Sequence, residues 1–336
     1  MFETLRSDTP QPVPFDNETG LAIIYNPTNK EAVQHAYGLR EYAEYLWPNK
    51  LKKPRIIYVE SEPSVEANAE MLASLEKDGK WHYSIHGGDG TYHNVLLAAD
   101  KIIAKGIFVT VANGNACDLA HSLHTKFYQQ DPINALVYGN TGKLRTLDIT
   151  IETPDGDSFD YQAISYAGFG LSGLAAYQLN NPDYRRKSSN LSKLERRMEE
   201  TKLVWNLSKS AEAFEASNYG DNPRRIIEHS YIGIDHMAKL PFGSKANIFS
   251  RQAIIGELHS RDFKDIAQGI GKAALGIPRI RPGQTDITTV YYENQEAFFM
   301  QLDGDHLLVP NGSTIRIEKN PDAKVKVVHT RRIPIS

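Results

Sequence analysis

Five consecutive residues, Gly87-Gly88-Asp89-Gly90-Thr91, are the part of this chain best suited to chemistry. They follow Trp81–Ile85, an apolar run of strand type, and precede a stretch with helical spacing from Tyr92 onward. Glycines at such a junction let backbone N–H groups approach phosphate oxygens closely. The start of the helix adds the positive end of its dipole. A carboxylate facing phosphates needs a cation, or a proton to accept, between itself and them. Asp89 therefore points to a bound Mg²⁺. The plainer alternative is a Gly-Gly loop closed by an ordinary Asp-Gly turn.

Two other loops have the same placement. Val111 to Ala120 again leaves a strand and opens a helix; Asn113-Gly114 makes a tight turn, and Asn115 either contacts a nucleotide or caps the helix. Asp118 is a dipole partner in the first turn or a group near the metal. Asn26-Pro27-Thr28-Asn29 closes the first strand. Polar, turn-forming residues at three strand ends suggest one site. The chain has no G-x-x-x-x-G-K-[ST] segment and no G-x-G-x-x-G after its first strand, so neither a P-loop nor a dinucleotide fingerprint is present.

These loops need a scaffold, and the apolar pattern supplies one. Strand-like runs at Leu21–Tyr25, Arg55–Val59, Trp81–Ile85 and Ile107–Val111 alternate with helical stretches at 30–47, 65–77 and 92–105. This alternation predicts βαβ units and a parallel, doubly wound α/β sheet, with ligands at the carboxyl ends of its strands. Near residue 144 the texture changes. Leu144–Thr153 and Phe159–Ser165 flank Pro154-Asp155-Gly156-Asp157 as a hairpin. Further strand-like runs lie at 226–234, 286–292, 297–302, 313–318 and 324–329, interrupted by helical stretches at 190–217 and 261–275. The expected organisation is a loose leader over 1–18, an α/β nucleotide-binding domain over 19–143 plus 306–336, and a β-rich, sandwich-like substrate domain over 144–305.

The chain has 336 residues, 38 Lys and Arg against 41 Asp and Glu, and a net charge of −3. That balance argues against a dedicated nucleic-acid binder. A single cysteine, Cys117, cannot form an internal disulfide framework and fits a reducing compartment. No secretory leader is evident, and no window reaches the ~18–20 apolar residues that span a bilayer. The expected location is cytoplasmic, with transient peripheral contact at the inner membrane surface if the substrate is a lipid.

Taken together, the segments resemble the diacylglycerol kinase catalytic family, which includes sphingosine kinases and, more distantly, NAD kinases. Gly87-Gly88-Asp89-Gly90-Thr91 matches its central motif, with His93 as in sphingosine-kinase-like members. Asn26-Pro27 resembles the family's opening N-P-x-x-G, and Asn113-Gly114 to Asp118-Leu119-Ala120 its G-T-x-N-D-F-A segment. Ala167-Gly168-Phe169-Gly170 resembles the glycine pair entering the second domain, and Asp303-Gly304-Asp305 the late D-G-E. The five blocks occur in family order across nearly the whole chain; the first is specific, the others individually weak.

The resemblance implies ATP, Mg²⁺ and a hydroxyl acceptor, usually on a lipid, with the site in the cleft between domains. It places Asn26, Thr28, Gly87, Gly88, Asp89, Gly90, Thr91, Asn94, Gly114 and Asn115 around the nucleotide, Asp89 near the metal, and Asp303 or Asp305 as proton acceptor. The alternative for Asp303-Gly304-Asp305 is a hairpin turn. Several positions depart from the family pattern. Asn94 replaces Glu, Asn115 replaces Thr, Cys117 replaces Asn, Ser172 replaces Asp and Asp305 replaces Glu. The first of these removes a negative charge near the phosphates.

Two rival functions stay open: a kinase of a soluble metabolite such as NAD, and a nucleotide-binding regulatory protein without turnover. Homo-oligomerisation is also open. Three remaining features have plain readings. Cys117 suits a packed small residue, and His121 with His124 a helix-end pair without further zinc ligands. The basic run Tyr184 to Lys187 with Lys193, Arg196 and Arg197 suits either a solvated helix face or contact with an anionic membrane.

Overall fold

The computed structural model describes residues 11–12, 18–46, 55–114, 117–123, 135–136, 139–218, 224–234, 236–237, 240–241, 248–259, 279–282, 286–292 and 295–329. The chain divides into two compact units, Met1–Arg145 with Asp322–Ser336, and Thr146–Pro321. Each is described by itself.

The first unit is an α/β layer structure. Its strands are β1 (Gln11–Pro12), β2 (Gly20–Tyr25), β3 (Ile56–Glu60), β4 (Trp81–Gly87), β5 (Ile107–Ala112), β6 (Asn140–Lys143) and the last strand of the chain, β21 (Lys326–His329). They form one sheet in the order β1-β6-β21-β5-β4-β2-β3. The β3-β2-β4-β5-β21 portion is parallel, and β6 and β1 join antiparallel at one edge. Helices α1 (Lys30–Leu46), α2 (Val65–Asp78), α3 (Asp89–Ile102) and α4 (Asp118–Ser122) make the connections. β2, β4 and β5 are buried along their whole length, as expected of parallel strands covered on both faces. Leu21, Ile23 and Tyr25 pack with Ala36 and Leu39 of α1 and with Ile107, Val109 and Val328 on one side.

The local causes are readable. Asn29 caps α1, its Oδ1 accepting the N–H groups of Glu31 and Ala32. Ser64 does the same for α2 through the Ala67 N–H. α3 starts earlier than its apolar spacing suggests, at Asp89 rather than Tyr92, because Gly88 serves as N-cap and the Tyr92 N–H already bonds the Gly88 carbonyl. The chain runs β2–β3 to one side and then returns past β2 to β4, so strand order reverses between β2 and β4. Such a switch point is where open α/β sheets leave a crevice for ligands.

The second unit is built from two six-stranded antiparallel sheets. One has the order β11-β10-β17-β20-β7-β8, from β7 (Leu147–Glu152), β8 (Ser158–Ala163), β10 (Phe214–Asn218), β11 (Arg224–Ile226), β17 (Asp286–Tyr292) and β20 (Thr314–Lys319). The other has the order β16-β15-β12-β9-β18-β19, from β9 (Tyr166–Gly170), β12 (Glu228–Ile232), β15 (Gln252–Leu258), β16 (Arg279–Pro282), β18 (Ala297–Leu302) and β19 (Asp305–Pro310). A short pair, β13 (His236–Met237) and β14 (Leu240–Pro241), completes the strands among the described residues. Alternate residues of the two sheets meet in one core: Leu147, Ile149, Ile151, Ile315 and Ile317 from the first, Phe169, Tyr231, Phe298 and Met300 from the second. This is a sandwich. Helices α5 (Leu171–Asn180), α6 (Pro182–Ser189) and α7 (Lys193–Ser210) are inserted after β9.

The structure refines several expectations. One helical stretch was expected over 190–217; three helices occupy 171–210, and 214–218 is strand β10. Asn181 capping and Pro182 at the first helical position split α5 from α6, and a Ser192–Glu195 capping box starts α7. The chain re-enters the first unit at Asp322 rather than 306, because β19 and β20 pair with β18, β17 and β7 in the sandwich. The helical stretch expected at 261–275 and most of the leader lie outside the described residues.

Candidate functional site

Three neighbouring parallel strands, β2, β4 and β5, end side by side, and the three loops singled out in the sequence leave from those ends. The Asn26 N–H bonds the His86 carbonyl (3.0 Å), and the Asn113 N–H bonds the Gly87 carbonyl (2.9 Å). Their side chains then cross-link the loops. Asn26 Nδ2 donates to Thr91 Oγ1 (3.2 Å), while Asn26 Oδ1 accepts from the backbone and hydroxyl of Thr28 (3.0 and 2.8 Å). Asn29 Nδ2 donates to the Asn113 carbonyl.

Two glycines set how close the loops come. A Cβ on Gly114 would lie 2.8 Å from the Gly88 Cα, so backbone meets backbone there. A Cβ on Gly87 would meet Thr91 Oγ1 at 2.5 Å. The result is a surface of bare backbone at the N-terminus of α3, a fourteen-residue helix, and that is the kind of surface on which phosphates are held. Below it, the buried Tyr92 hydroxyl lies 2.9 Å from the Gly87 carbonyl and 2.8 Å from that of Val111, tying β4 to β5. Burial, then the neighbouring Cys117 and Asp89, push its pKa well up, so it stays a hydroxyl.

Asp89 opens α3 half-buried, and its Oδ1 accepts the Leu119 N–H at 3.3 Å, joining the central motif to the start of α4. Among the described residues no three His, Cys, Asp or Glu side chains form a metal-binding group. Mg²⁺ is commonly held by one or two carboxylates together with substrate phosphates, and Asp89 beside bare glycine backbone fits that donor set. Asn94, one turn further along, donates instead to the Pro63 carbonyl (2.9 Å) and secures the loop before α2. Asn115 lies outside the described residues.

In the second unit, Asp303 and Gly304 are the two central residues of the β18–β19 turn, between the paired Leu302 and Asp305. Their φ values are 51° and 92°, the positive pair that a two-residue hairpin of this hand demands. Asp303 is buried, and its carboxylate accepts three backbone N–H groups, from Ile164 (2.6 Å), Ser165 (2.7 Å) and Tyr166 (3.0 Å). It organises the turn from β8 into β9. Asp305, two residues on, is exposed.

Sequence reasoning did not single out two buried polar groups. The first lies beneath the loops of the first unit. Ser84 Oγ and His86 Nε2 are 2.9 Å apart, and Asn113 Nδ2 and His35 Nδ1 are 2.7 Å apart. Burial above all, then His35, lowers the His86 pKa to about 3; the Asn113 amide partly opposes this, although His86 Nδ1 and Asn113 Oδ1 do not reach hydrogen-bonding geometry. His86 is therefore neutral across the physiological range. The available signal was the alternation of polar His82, Ser84 and His86 with apolar residues along one strand, running into Gly-Gly. The second group surrounds Glu228 in β12. The Ser172 N–H donates to its Oε2 at 2.6 Å and the Ser230 hydroxyl to its Oε1. Burial pushes this carboxyl up to about 7, with those donors opposing. Only strand pairing brings Glu228 to Ser172.

The sequence matches no protein-family model and no curated protein. The structure does have counterparts. It superimposes on a diacylglycerol kinase from Bacillus anthracis with a TM-score of 0.64 at 11% identity, covering 94% of this chain and 99% of that one. The chain has the diacylglycerol-kinase fold. A second Bacillus anthracis structure, named a diacylglycerol kinase only provisionally, gives a TM-score of 0.62 at 11% identity with the same coverage. The match runs along both units with about one residue in nine the same.

Proposed function

We propose that this chain is an ATP- and Mg²⁺-dependent lipid kinase that transfers the γ-phosphoryl group to a hydroxyl of a diacylglycerol-like or sphingoid-like lipid. The observation that carries the reading is the meeting of Gly88 and Gly114 backbones where β4 and β5 end, beside the β2/β4 switch point and at the start of α3. A nucleotide's phosphates fit bare N–H groups at a helix start. The named folds support the acceptor class.

In this reading Asn26, Thr28 and Thr91 fix the edge of the phosphate loop, and Gly87, Gly88, Gly90 and Gly114 give the backbone its approach. Asp89 would hold the cation, whose charge would offset that building up on the transferred phosphoryl oxygens. The acceptor oxygen bonds to the γ-phosphorus, the bond to the β-γ bridging oxygen breaks, and ADP leaves with that oxygen. The acceptor's proton needs a carboxylate. Asp305 is the better candidate, because Asp303 is committed to three backbone donors.

The test is phosphoryl transfer from labelled ATP with Mg²⁺ to a mixed lipid extract, comparing wild type with Asp89→Asn and Asp305→Asn. Asp89→Asn keeps an acceptor for the Leu119 N–H while removing the charge. The expected result is one labelled lipid, reduced at least about a hundredfold by either substitution. ATP binding without labelled lipid would transfer the weight to a soluble acceptor or to a regulatory protein without turnover.

A further inference from the structure

Helix α7 has an apolar face toward the body of its unit and a second one toward solvent. Leu203 and Leu207 are half-buried, and the helix packs on α5. On the other side, Leu194 is 69% exposed and Met198 is 65% exposed. Positions 194, 198, 201 and 205, in steps of four, three and four, fall on one stripe of the helix, which ends at the half-buried Trp205. Helices on protein surfaces ordinarily turn charge, not Leu and Met on successive turns, toward water.

Two lysines and one acid border the stripe, and the acid, Glu195, is engaged with Ser192 in the capping box. Lys202 and Lys209 are exposed beside it, and Lys209 Nζ lies 4.9 Å from the centroid of the Trp205 ring. The preceding α6 exposes Arg185, Arg186 and Lys187, and it is tied to α7 by Lys187–Glu199 (3.9 Å) and by Arg196 Nε to the Ser188 carbonyl (3.1 Å). From Pro182 to Ser210 there are eight Lys or Arg against four Asp or Glu, in a chain whose net charge is −3. The local excess is therefore opposite in sign to the whole.

We infer that the solvent face of α7 is a docking surface for an anionic lipid bilayer. Leu194 and Met198 enter the acyl boundary, Trp205 sits at headgroup depth, and Lys202 and Lys209 bury their stems while their ammonium groups reach lipid phosphates. The basic residues of α6 add attraction to the charged surface. A second copy of the chain fits less well, since a two-fold contact along this stripe would bring its bordering lysines together. The surface deepens the lipid-kinase reading and takes its interest from it, because an acceptor resident in a bilayer requires the enzyme to reach one. Its test, however, needs no turnover.

The experiment is co-sedimentation of the full chain with vesicles of phosphatidylcholine alone or mixed with phosphatidylglycerol, without ATP. Wild type should bind the mixed vesicles, bind less as salt is raised, and show a blue shift in tryptophan emission that Trp205→Phe abolishes. Leu194→Glu with Met198→Glu should weaken partition at least about tenfold, as each buried apolar side chain is worth on the order of a decade. Both side chains are exposed, so the thermal midpoint should not move; Lys202→Glu with Lys209→Glu, which leaves the apolar residues in place, should weaken binding to the mixed vesicles alone. Equal binding by the Leu194/Met198 variant, or no binding by wild type, would overturn the inference. Self-association lost in that variant without vesicle binding would overturn it in favour of a second copy. Vesicle binding without any phosphorylated lipid would leave the surface standing and remove the kinase reading.

Discussion

Gly114 has a steric reason to be glycine that no neighbouring side chain could relieve, since what its Cβ would strike is the Gly88 backbone. Gly114→Ala should therefore separate the two loops and weaken ATP binding at least about tenfold, by titration calorimetry. Because the loops are near the surface of the unit, the thermal midpoint should fall far less than for a core substitution. The two aspartates of the β18–β19 turn should separate just as cleanly. Asp303→Asn turns an oxygen that meets backbone donors into an amide that cannot accept from them, and should cost about 2–3 kcal/mol of stability by urea denaturation. Asp305→Asn should leave the urea midpoint in place and remove phosphoryl transfer. Asn94 makes a smaller point of the same kind. Its family-deviant identity suggested a changed metal site, yet its amide is occupied with the Pro63 carbonyl.

At the scale of elements, the start of α5 is where sequence and packing act against each other. Helix N-termini welcome carboxylates, and Glu228 reaches the Ser172 N–H there from the neighbouring strand β12. Gly168 leaves the room, since a Cβ at that position would crowd Ser172 Oγ, Ser230 Oγ and Glu228 Oε1. Burial nevertheless outweighs these donors and raises the carboxyl from 4.5 to about 7. A raised carboxyl pKa means that the folded protein binds the proton more tightly than the unfolded chain. Stability from this group is thus present at low pH, declines between about 4.5 and 7, and is lost above that. Glu228→Gln should remove the decline, and its unfolding free energy in urea should overtake that of wild type as pH rises, by on the order of 3 kcal/mol. The difference between the two proteins is the informative quantity, because His229 and Glu257 lie beside the group. No rise in the difference across that window would show that Glu228 is not the titrating group.

For the whole molecule, the order of the strands matters more than their number. β21, the last strand of the chain, lies between β5 and β6 in the sheet of the first unit, 183 residues after β6 ends and on the far side of the sandwich in sequence. Deleting Asp322–Ser336 would take the middle out of that sheet and expose Val109 and Ala135, which pack with Val328. The sandwich, whose strands all lie within Thr146–Pro321, loses none. Calorimetry of the truncated chain should show the sandwich transition retained and that of the α/β unit lost, together with ATP binding. A single transition at the wild-type midpoint would mean that β21 is dispensable.

The sequence by itself determined the parallel α/β layer and the three loops at its strand ends. Their signals are local: continuous apolar runs, helical spacing and turn residues at the junctions. It also determined the hairpin, read as 144–153 and 159–165 around Asp155-Gly156 and formed by β7 and β8. It left Asp303 and Asp305 as equals, because whether a turn aspartate is spent on backbone donors depends on a loop nearly 140 residues earlier in the chain. It placed the return to the first unit at 306, because β19 and β20 reveal their membership only through pairing with β18, β17 and β7. The His35–Asn113 contact, and the burial of His86 and of Glu228, belong to the tertiary structure. Each depends on which elements become neighbours, and desolvation, which shifts the protonation of His86 and Glu228, exists only after those elements have packed.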